Sequence, residues 1–499
     1  MVVKEHFKLP CRRITRQEQV SNKVRFVTKP TASHLLMAKA FFIVIVIFLT
    51  VSPVAAQDTL TVSLQSAMEQ SLEISPEIRA KEAKVDFASA RQRLAKTSRF
   101  LTDFSATSAH ATAPGIDNPN DTPRDQLYLD PDVRNAWDDL SAFNQVEFEA
   151  LQPIFTWGQL GKSIEAAEAG VDVERAATRE TAEEVALRTA DLYFGLILTE
   201  ALNRLTTEAG DIVEQAKEEI DRLIQEGADD VDYADLFQVQ ITEQEFLMRV
   251  VEAEESRRTA RAALSRQMFL PDGQTVYPET NILSPVELEL NSLEFYQDLA
   301  LAHRPELSRA VAGVQALDAL VDVARSDYFP KLFLGLSGKW SYAADRERQR
   351  NPYVSDPFLS RSVKAGFGIR QNLNFNQTKA KVQQAEAEVS EVRFQRDAAR
   401  QLVLFEVEEA YRNVLITRKA VEAREAQLLI SKDWLRTEQV DFDLDLGDTE
   451  NLVKAVRDNL SIRAQRHEAV YKYNQAIMRL YAATGTLIQE LQAGTLIGL

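Results

Sequence analysis

The same series of motifs occurs twice along this chain of 499 residues. The segment PEI at 76–78 recurs as PEL at 305–307, and Tyr193 of YFGLILT corresponds to Tyr411 of YRNVLIT. Two pairs of matching motifs in the same order indicate a duplicated structural unit, in which each copy contributes equivalent elements. We therefore predict two structural repeats, residues 57–285 and 286–499, with a proline-rich linker at the end of the first copy.

Each copy contains a very long helical pattern. Residues 163–224 and 382–437 are rich in Ala, Glu, Leu and Arg and contain no proline. At 1.5 Å per residue, a helix of about 60 residues is on the order of 90 Å long, which is too long for a compact domain. Further helices are predicted at 64–98, broken early by Pro76, and at 233–268 and 449–484. Helices of this length are typical of coiled coils and helical barrels.

Between the helices the hydrophobic period changes from 3.6 to 2, which indicates strands. The predicted strands are 100–112, 143–156, 328–342 and 362–375, joined in pairs by the polar loops 113–140 and 343–360. One apolar and one polar face are typical of transmembrane β-barrel strands. Four strands are too few to close around water, and open edges in lipid are costly, so closure requires several chains. The alternative is two soluble hairpins packed on a core.

An export signal is predicted near the N-terminus. Residues 40–51 form an uncharged apolar run of about twelve residues, shorter than the roughly 20 that span a membrane. Lys39 precedes this run and small residues follow it, so we predict a signal peptide over residues 1–56 that is cleaved after Ala56. Met37 would start a compact signal, with 1–36 as an upstream extension; a single long signal peptide is the alternative. Cys11, the only cysteine, lies in the removed part.

Composition excludes several classes of function. The chain has 58 Lys and Arg against 75 Asp and Glu, a net charge of −17, which argues against a nucleic-acid surface. A mean hydropathy of −0.25 excludes a polytopic helical membrane protein. No catalytic triad, phosphate loop or dinucleotide fingerprint is present, and His303 and His467 lack ligand partners, so both are interpreted as surface residues. We expect no enzyme, no cofactor and no metal site.

Several motifs are similar to those of the TolC family of outer-membrane efflux proteins. They are QPIFTWGQLGKSIEAAEAGV at 152–171, its counterpart QNLNFNQTKAKVQQAEAEV at 371–389, and YKYNQAIMRLYAATG at 471–485. The resemblance covers residues 57–499. It implies a mixed fold: a long α-helical coiled-coil barrel that forms a periplasmic tunnel, and a transmembrane β-barrel with four strands per protomer and twelve in a trimer.

The resemblance also implies a function and partners. It implies a homotrimeric exit duct in outer-membrane lipid that extends into the periplasm and belongs to a tripartite efflux or type I secretion system. Such a duct passively conducts substrates from an inner-membrane pump of the RND or ABC type, reached through a periplasmic adaptor (membrane fusion) protein, and binds no nucleic acid. The alternative is a soluble periplasmic coiled-coil scaffold or adaptor. The family's gating arginine has no match in the second helix-to-helix turn, which reads GDTENLVK at 447–454.

Acidic residues cluster in both helix-to-helix turns. In a trimer, the second turn would focus a negative potential at a periplasmic aperture; the alternative is a solvated turn. The candidate aperture residues are Asp441, Asp443, Asp445, Asp448 and Glu450. The first turn is interpreted as facing an adaptor, through Asp229, Asp230, Asp232 and Asp235.

The polar faces of the strands supply candidate lumen-lining residues. These are Glu147, Glu149, Lys364 and Arg370. Aromatic residues near the loops are candidates for an interfacial girdle or, alternatively, for scattered core positions. They are Trp340, Tyr342, Tyr353 and Phe358.

Overall fold

In the computed structural model, two strands of the main sheet continue into very long helices. It describes residues 59–100, 103–117, 134–226, 233–348, 355–444 and 449–494. The predicted signal peptide and its cleavage site lie outside these residues. The helices are α1 Leu64–Ile74, α2 Pro76–Thr97, α3 Gln159–Glu226, α4 Tyr233–Gln267, α5 Leu293–His303, α6 Pro305–Ser326, α7 Phe375–Asp443, α8 Thr449–Thr484 and α9 Leu487–Ala493. The strands are β1 Thr59–Val62, β2 Asp103–Asp117, β3 Arg134–Phe155, β4 Thr275–Pro278, β5 Lys331–Ala343 and β6 Arg361–Arg370.

Proline and serine set the start of the shorter helices. Pro76 and Pro305 each occupy the first position of a helix, where the missing N–H has no partner to lose and the fixed φ favours the helix. Ser63 caps α1 and Ser292 caps α5 by accepting hydrogen bonds from backbone N–H groups of the first turn. The predicted break at Pro76 therefore separates α1 from α2.

The two long helices are longer than predicted. α3 has 68 residues and α7 has 69, which at 1.5 Å per residue is about 100 Å each. The buried side of α7 includes positions seven residues apart, such as Val382 and Val389, or Val407, Val414 and Val421. A seven-residue repeat is the seam of a left-handed coiled coil.

Four strands form one antiparallel sheet in the order β2-β3-β5-β6. The β2–β3 hairpin extends further than predicted: β2 reaches Asp117 and β3 begins at Arg134, with an irregularity at Pro114/Gly115. The sequence predicts this end of the hairpin as loop because its residues, which include Pro, Asp and Asn, do not alternate between polar and apolar. Its backbone pairs regardless, since strand pairing does not require an apolar face.

The helices lie side by side in the same order as the strands. In the layer next to the sheet, α2 packs against α3, α3 against α6, and α6 against α7. In the layer further from the sheet, α4 packs against α3, α3 against α8, and α8 against α7. Ion pairs connect neighbours in the first layer: Arg188 of α3 binds Glu77 of α2 at 2.9 Å, and Arg393 of α7 binds Asp318 of α6 at 2.8 Å. The sheet and the helix layer next to it therefore end on the same two sides, with β2 and α2 on one side and β6 and α7 on the other.

The main hydrophobic core lies where short elements pack against the middle of the long helices. α1, α5, α9 and the parallel pair β1–β4 surround buried side chains of α3 and α8, including Tyr193, Phe194, Ile477 and Met478. The side chain of Asn474 accepts from the N–H of Val286, which holds the chain before α5 in place. β1, β4 and α9 were not predicted, because elements this short carry no periodic signal.

Candidate channel wall and helix-hairpin turns

The register of the sheet places all four predicted lumen residues on one face. Glu147 lies opposite Lys339, and Glu149 lies opposite Ser337, which in turn lies opposite Lys364. Side chains alternate between the two faces along a strand, so Arg370 shares the face of Lys364. The prediction that these residues line a lumen is untested, but their common face fits it.

This polar face carries balanced, hydrated charge. The Glu147 carboxylate lies 3.1 Å from the Lys339 ammonium, and the two side chains are 41% and 35% exposed. Half-exposed pairs of this kind contribute little to stability. The guanidinium of Arg370 lies 5.4 Å from the centre of the Phe333 ring, which covers Gly368. The face therefore suits contact with water.

The opposite face of the sheet is apolar and uncovered. Leu332, Leu334 and Leu336 of β5 lie in register with residues of β6 on the same face. On β6, Val363, Phe367 and Ile369 are 74%, 83% and 71% exposed. A contiguous exposed apolar surface marks contact with a membrane or another protein. One wet and one apolar face is the arrangement of an outer-membrane barrel wall.

Two of the four candidate girdle residues share this apolar face. The rings of Trp340 and Tyr342 stack with centroids 6.2 Å apart and planes 6° apart. Phe358 instead contacts Phe143, at 5.5 Å, on the polar side of the sheet. Tyr353 lies outside the described residues. The girdle interpretation therefore fits Trp340 and Tyr342 and is wrong for Phe358, since the connection from β5 to β6 folds over the polar face.

A buried ion pair in this connection was not foreseen. Arg346 donates from Nε to Asp356 at 2.8 Å, and the two side chains are 5% and 7% exposed. Arg346 also donates to the carbonyl oxygens of Pro114 and Gly115 and stacks on Phe358 at 4.7 Å. These contacts hold the connection against the β2–β3 hairpin. Nothing in the sequence signals them, because charges in a polar loop normally remain in water.

The acidic turns are only partly described. Asp441 lies in the last turn of α7, and Glu450 lies exposed in the first turn of α8. Asp443 and Asp235 belong to helices α7 and α4, but their side chains are outside the described set. The other predicted turn residues also lie outside the described residues: Asp445, Asp448, Asp229, Asp230 and Asp232. The aperture and the adaptor-facing turn therefore remain predictions.

One histidine differs from its prediction. His303 is exposed as expected, but His467 is half-buried, and its Nδ1 has no hydrogen-bond partner among the described residues. Burial, together with the positive charge of Arg466, Arg204 and Arg463, lowers the pKa of His467. Across the described ranges, no group of three or more His, Cys, Asp or Glu residues is arranged to hold a metal ion.

The arrangement defines a class of protein. In the described part of the chain, an open-edged sheet with one wet and one apolar face continues into a layer of very long helices, which is the arrangement expected of a protomer of an outer-membrane channel with a helical tunnel. Among the described helices, none combines the length and apolar character needed to cross a membrane. Residues 297–486 match the family model described as outer membrane efflux protein.

Solved channel structures share the fold. The Campylobacter jejuni outer-membrane channel CmeC superposes with a TM-score of 0.66 at 15% identity, over 87% of this chain and 89% of that one. The outer membrane protein VceC of Vibrio cholerae superposes with a TM-score of 0.66 at 14% identity, over 85% of this chain and 96% of that one. The open state of the Neisseria gonorrhoeae outer membrane channel MtrE superposes with a TM-score of 0.65 at 16% identity, over 85% of this chain and 88% of that one. No curated protein matches the chain by sequence.

The predicted fold class and the resemblance to the TolC family are thereby confirmed. The chain has the mixed fold of these channels, with a sheet of barrel strands and long tunnel helices. The division into repeats at residues 285 and 286 stays a prediction, although the element order around β2–β3 recurs around β5–β6.

Proposed function

We propose that three copies of this chain assemble into the exit duct of a tripartite efflux or type I secretion system. The duct passively conducts substrates delivered by an inner-membrane pump, through a periplasmic adaptor, to the exterior. One observation carries this proposal: among the described elements, the sheet and the helix layers are left open at the same two edges, and both edges expose groups that another copy could cover.

The sheet edges argue for closure by repetition. Among the described strands, β2 and β6 each pair on one side only. In lipid, each unpaired backbone group costs several kcal/mol, so a membrane sheet has to close. Pairing of β6 with β2 of the next copy leaves no edge, and three copies give a barrel of twelve strands. A ring of identical contacts is the usual route to a closed oligomer.

The helix edges expose apolar side chains at the same two places. On α2, Phe87 and Leu94 are 66% and 69% exposed, and on α7, Phe394 and Phe405 are 74% and 62% exposed. Further from the sheet, α4 forms the edge on the α2 side, and it too exposes large apolar residues. Contact between α7 of one copy and α2 and α4 of the next would cover these side chains.

Transport through such a duct needs no chemistry by the chain. The polar face with Glu147, Glu149, Lys364 and Arg370 would line a water-filled lumen, and cyclic symmetry would turn each residue into a ring. The turn between α3 and α4 is the candidate contact for the adaptor. We therefore assign the chain a channel function and no enzymatic activity.

The test is extraction of the full-length protein from cells, followed by recording in planar bilayers. We expect that the protein leaves the outer membrane only with detergent, dissociates from a trimer on heating, and forms pores. Release without detergent would favour the soluble periplasmic scaffold instead. A protein that runs as a heat-stable monomer, or trimers without conductance, would contradict the duct.

The candidate aperture has its own test in the same recordings. Joint replacement of Asp441, Asp443 and Asp445 by Asn should raise single-channel conductance or weaken block by divalent cations, because fewer carboxylates would face the pore. Asp433→Asn, an exposed position two turns earlier on α7, is the matched control. Conductance and block that both stay at the wild-type level would exclude an acidic aperture.

A further inference from the structure

The far end of the apolar sheet face contains an unpaired cation beside an aromatic pair. Arg361 lies opposite Trp340 in the β5–β6 register, and Trp340 lies opposite Val146, so the three side chains form one row on the apolar face. Arg361 is exposed and has no ion-pair partner among the described residues. On the polar face, by contrast, Lys339 pairs with Glu147.

An apolar groove extends from this row toward the helices. The next row on the same face consists of Phe148, Gly338 and Val363. Gly338 has no side chain, and the Phe148 ring lies directly over it, so the floor is flat and apolar. The groove has a volume of about 450 Å³, and Trp340 and Arg361 are among the residues that line it.

The position of Arg361 along the strand fits the level of lipid headgroups. The stretch of β6 from Arg361 to Ile369 is about 27 Å long at 3.4 Å per residue. Ile369 lies at the end of the sheet from which α7 continues. The apolar band of outer-membrane barrels is about 25 Å tall and has aromatic residues at both boundaries. At the strand tilt of about 35–45° found in such barrels, this stretch spans roughly 19–22 Å along the membrane normal, so Arg361 and the stacked Trp340 and Tyr342 fall near the boundary away from the helices, within reach of the headgroups.

We propose that Arg361 and this groove bind a phosphorylated lipid of the outer leaflet, with a phosphate on Arg361 and an acyl chain over Phe148 and Val363. The proposal rests on the proposed duct, which places the helices in the periplasm and this end of the sheet in the outer leaflet. The guanidinium presents a planar fork of donors that matches phosphate oxygens. An uncharged lipid would leave this cation without a partner at the membrane boundary.

The chemistry requires both parts of the ligand. A free phosphate would reach Arg361 but would gain nothing from the groove, whereas a diacylglycerol would fill the groove and leave the cation unpaired. Binding should therefore need phosphate and acyl chain together, and the charge-assisted hydrogen bonds should distinguish a phosphorylated lipid from an uncharged one.

The experiment measures lipid retained by the purified full-length trimer in detergent, by native mass spectrometry. The probes are lipid A, dioleoylglycerol and inorganic phosphate. We expect lipid A to bind best, and R361Q to weaken its binding roughly tenfold, as expected for the loss of one charge-assisted contact. V363W, which fills the groove and leaves Arg361 in place, should weaken it as well. K364Q, on the same strand but on the opposite face, is the control and should bind like the wild type.

The outcomes separate this proposal from the duct itself. Equal lipid A binding by the wild type, R361Q and V363W would overturn the lipid site, as would equally strong binding of dioleoylglycerol or of inorganic phosphate. Conductance of the same samples tests the duct independently: pores with lipid binding that does not depend on Arg361 overturn only the lipid site. Heat dissociation of each variant shows that it has assembled. R361K keeps the positive charge but lacks the planar guanidinium, so its affinity for lipid A should lie between those of R361Q and the wild type.

Discussion

Glu183 shows how the fold changes the chemistry of a single side chain. It lies on α3, where one carboxylate oxygen accepts a hydrogen bond of 3.5 Å from the N–H of Ile488 in α9. The other oxygen is buried with no hydrogen-bond partner among the described residues. Burial raises the pKa of Glu183 to about 7; the positive charge of Arg304 opposes this shift and the negative charge of Glu306 adds to it. Its protonation therefore changes near neutral pH.

This raised pKa predicts a pH dependence of stability. Between about pH 4.5 and pH 7 the unfolded chain releases this proton while the folded chain keeps it, so stability falls as pH rises and stays low above pH 7. A shift from 4.5 to about 7 corresponds to on the order of 3 kcal/mol per chain. Glu183→Gln should raise the melting temperature at pH 8 and flatten this slope.

Thermal unfolding at pH 5, 7 and 8 checks this, with Glu184→Gln at the exposed neighbouring position as the control. The burial argument is wrong if Glu183→Gln and the wild type lose the same stability between pH 5 and pH 8. A loss of stability at pH 8 in Glu183→Gln would also contradict it.

At the scale of elements, the turn from α8 to α9 depends on one glycine. Gly485 follows the last residue of α8 and has a φ of +70°, in the left-handed region that favours glycine. A Cβ at this position would lie 3.0 Å from the Cα of Arg304, which is backbone and cannot rotate away. The turn thus fits closely against the junction of α5 and α6.

Gly485→Ala should therefore destabilise the protein by about 2 kcal/mol or more, because it combines a strained φ with a contact against backbone. Gly170→Ala is the matched control: Gly170 lies inside α3, a Cβ there would meet no atom within 4 Å, and Ala favours a helix by up to about 1 kcal/mol. Urea unfolding of both variants measures the difference. Equal stabilities of the two variants would show that this turn tolerates a side chain.

At the scale of the whole molecule, the proposed trimer depends on the two open edges. Phe405 of α7 is 62% exposed on the edge that continues from β6. Covering a phenylalanine contributes about 1.5–3 kcal/mol, and a trimer would gain this at each of its interfaces.

Phe405→Glu should therefore prevent or strongly weaken trimer formation, since it removes apolar contact and adds a charge that would be buried. Asn413→Glu, an exposed residue of the same helix that points about a quarter turn away from Phe405, adds the same charge as a control. Light scattering of the purified proteins in detergent gives the oligomeric state. Trimers of normal stability from Phe405→Glu would place the contact between copies elsewhere.

Much of this architecture could be predicted from local patterns. The 3.6-residue and two-residue periods placed the long helices and four strands, and alternation placed Glu147, Glu149, Lys364 and Arg370 on one face. The ends of β2 and β3 were missed because strand pairing there lacks the apolar alternation that signals it. Whether Phe358 belongs to an aromatic girdle or to a packed cluster could not be predicted, because the path of a loop depends on contacts such as that between Arg346 and Asp356.

The sequence by itself indicated the long helices, the four strands of the main sheet, the faces of those strands and the resemblance to the outer-membrane efflux proteins, because these follow from the order and period of neighbouring residues. Only the tertiary structure decided the strand order β2-β3-β5-β6, the pairing of β1 with β4, and the burial of Glu183 and His467. It also decided that Arg361 lies beside Trp340 above an apolar groove. These features arise from contacts between residues distant in sequence, and burial of a charge or pairing of a strand is a property of such contacts rather than of a local pattern.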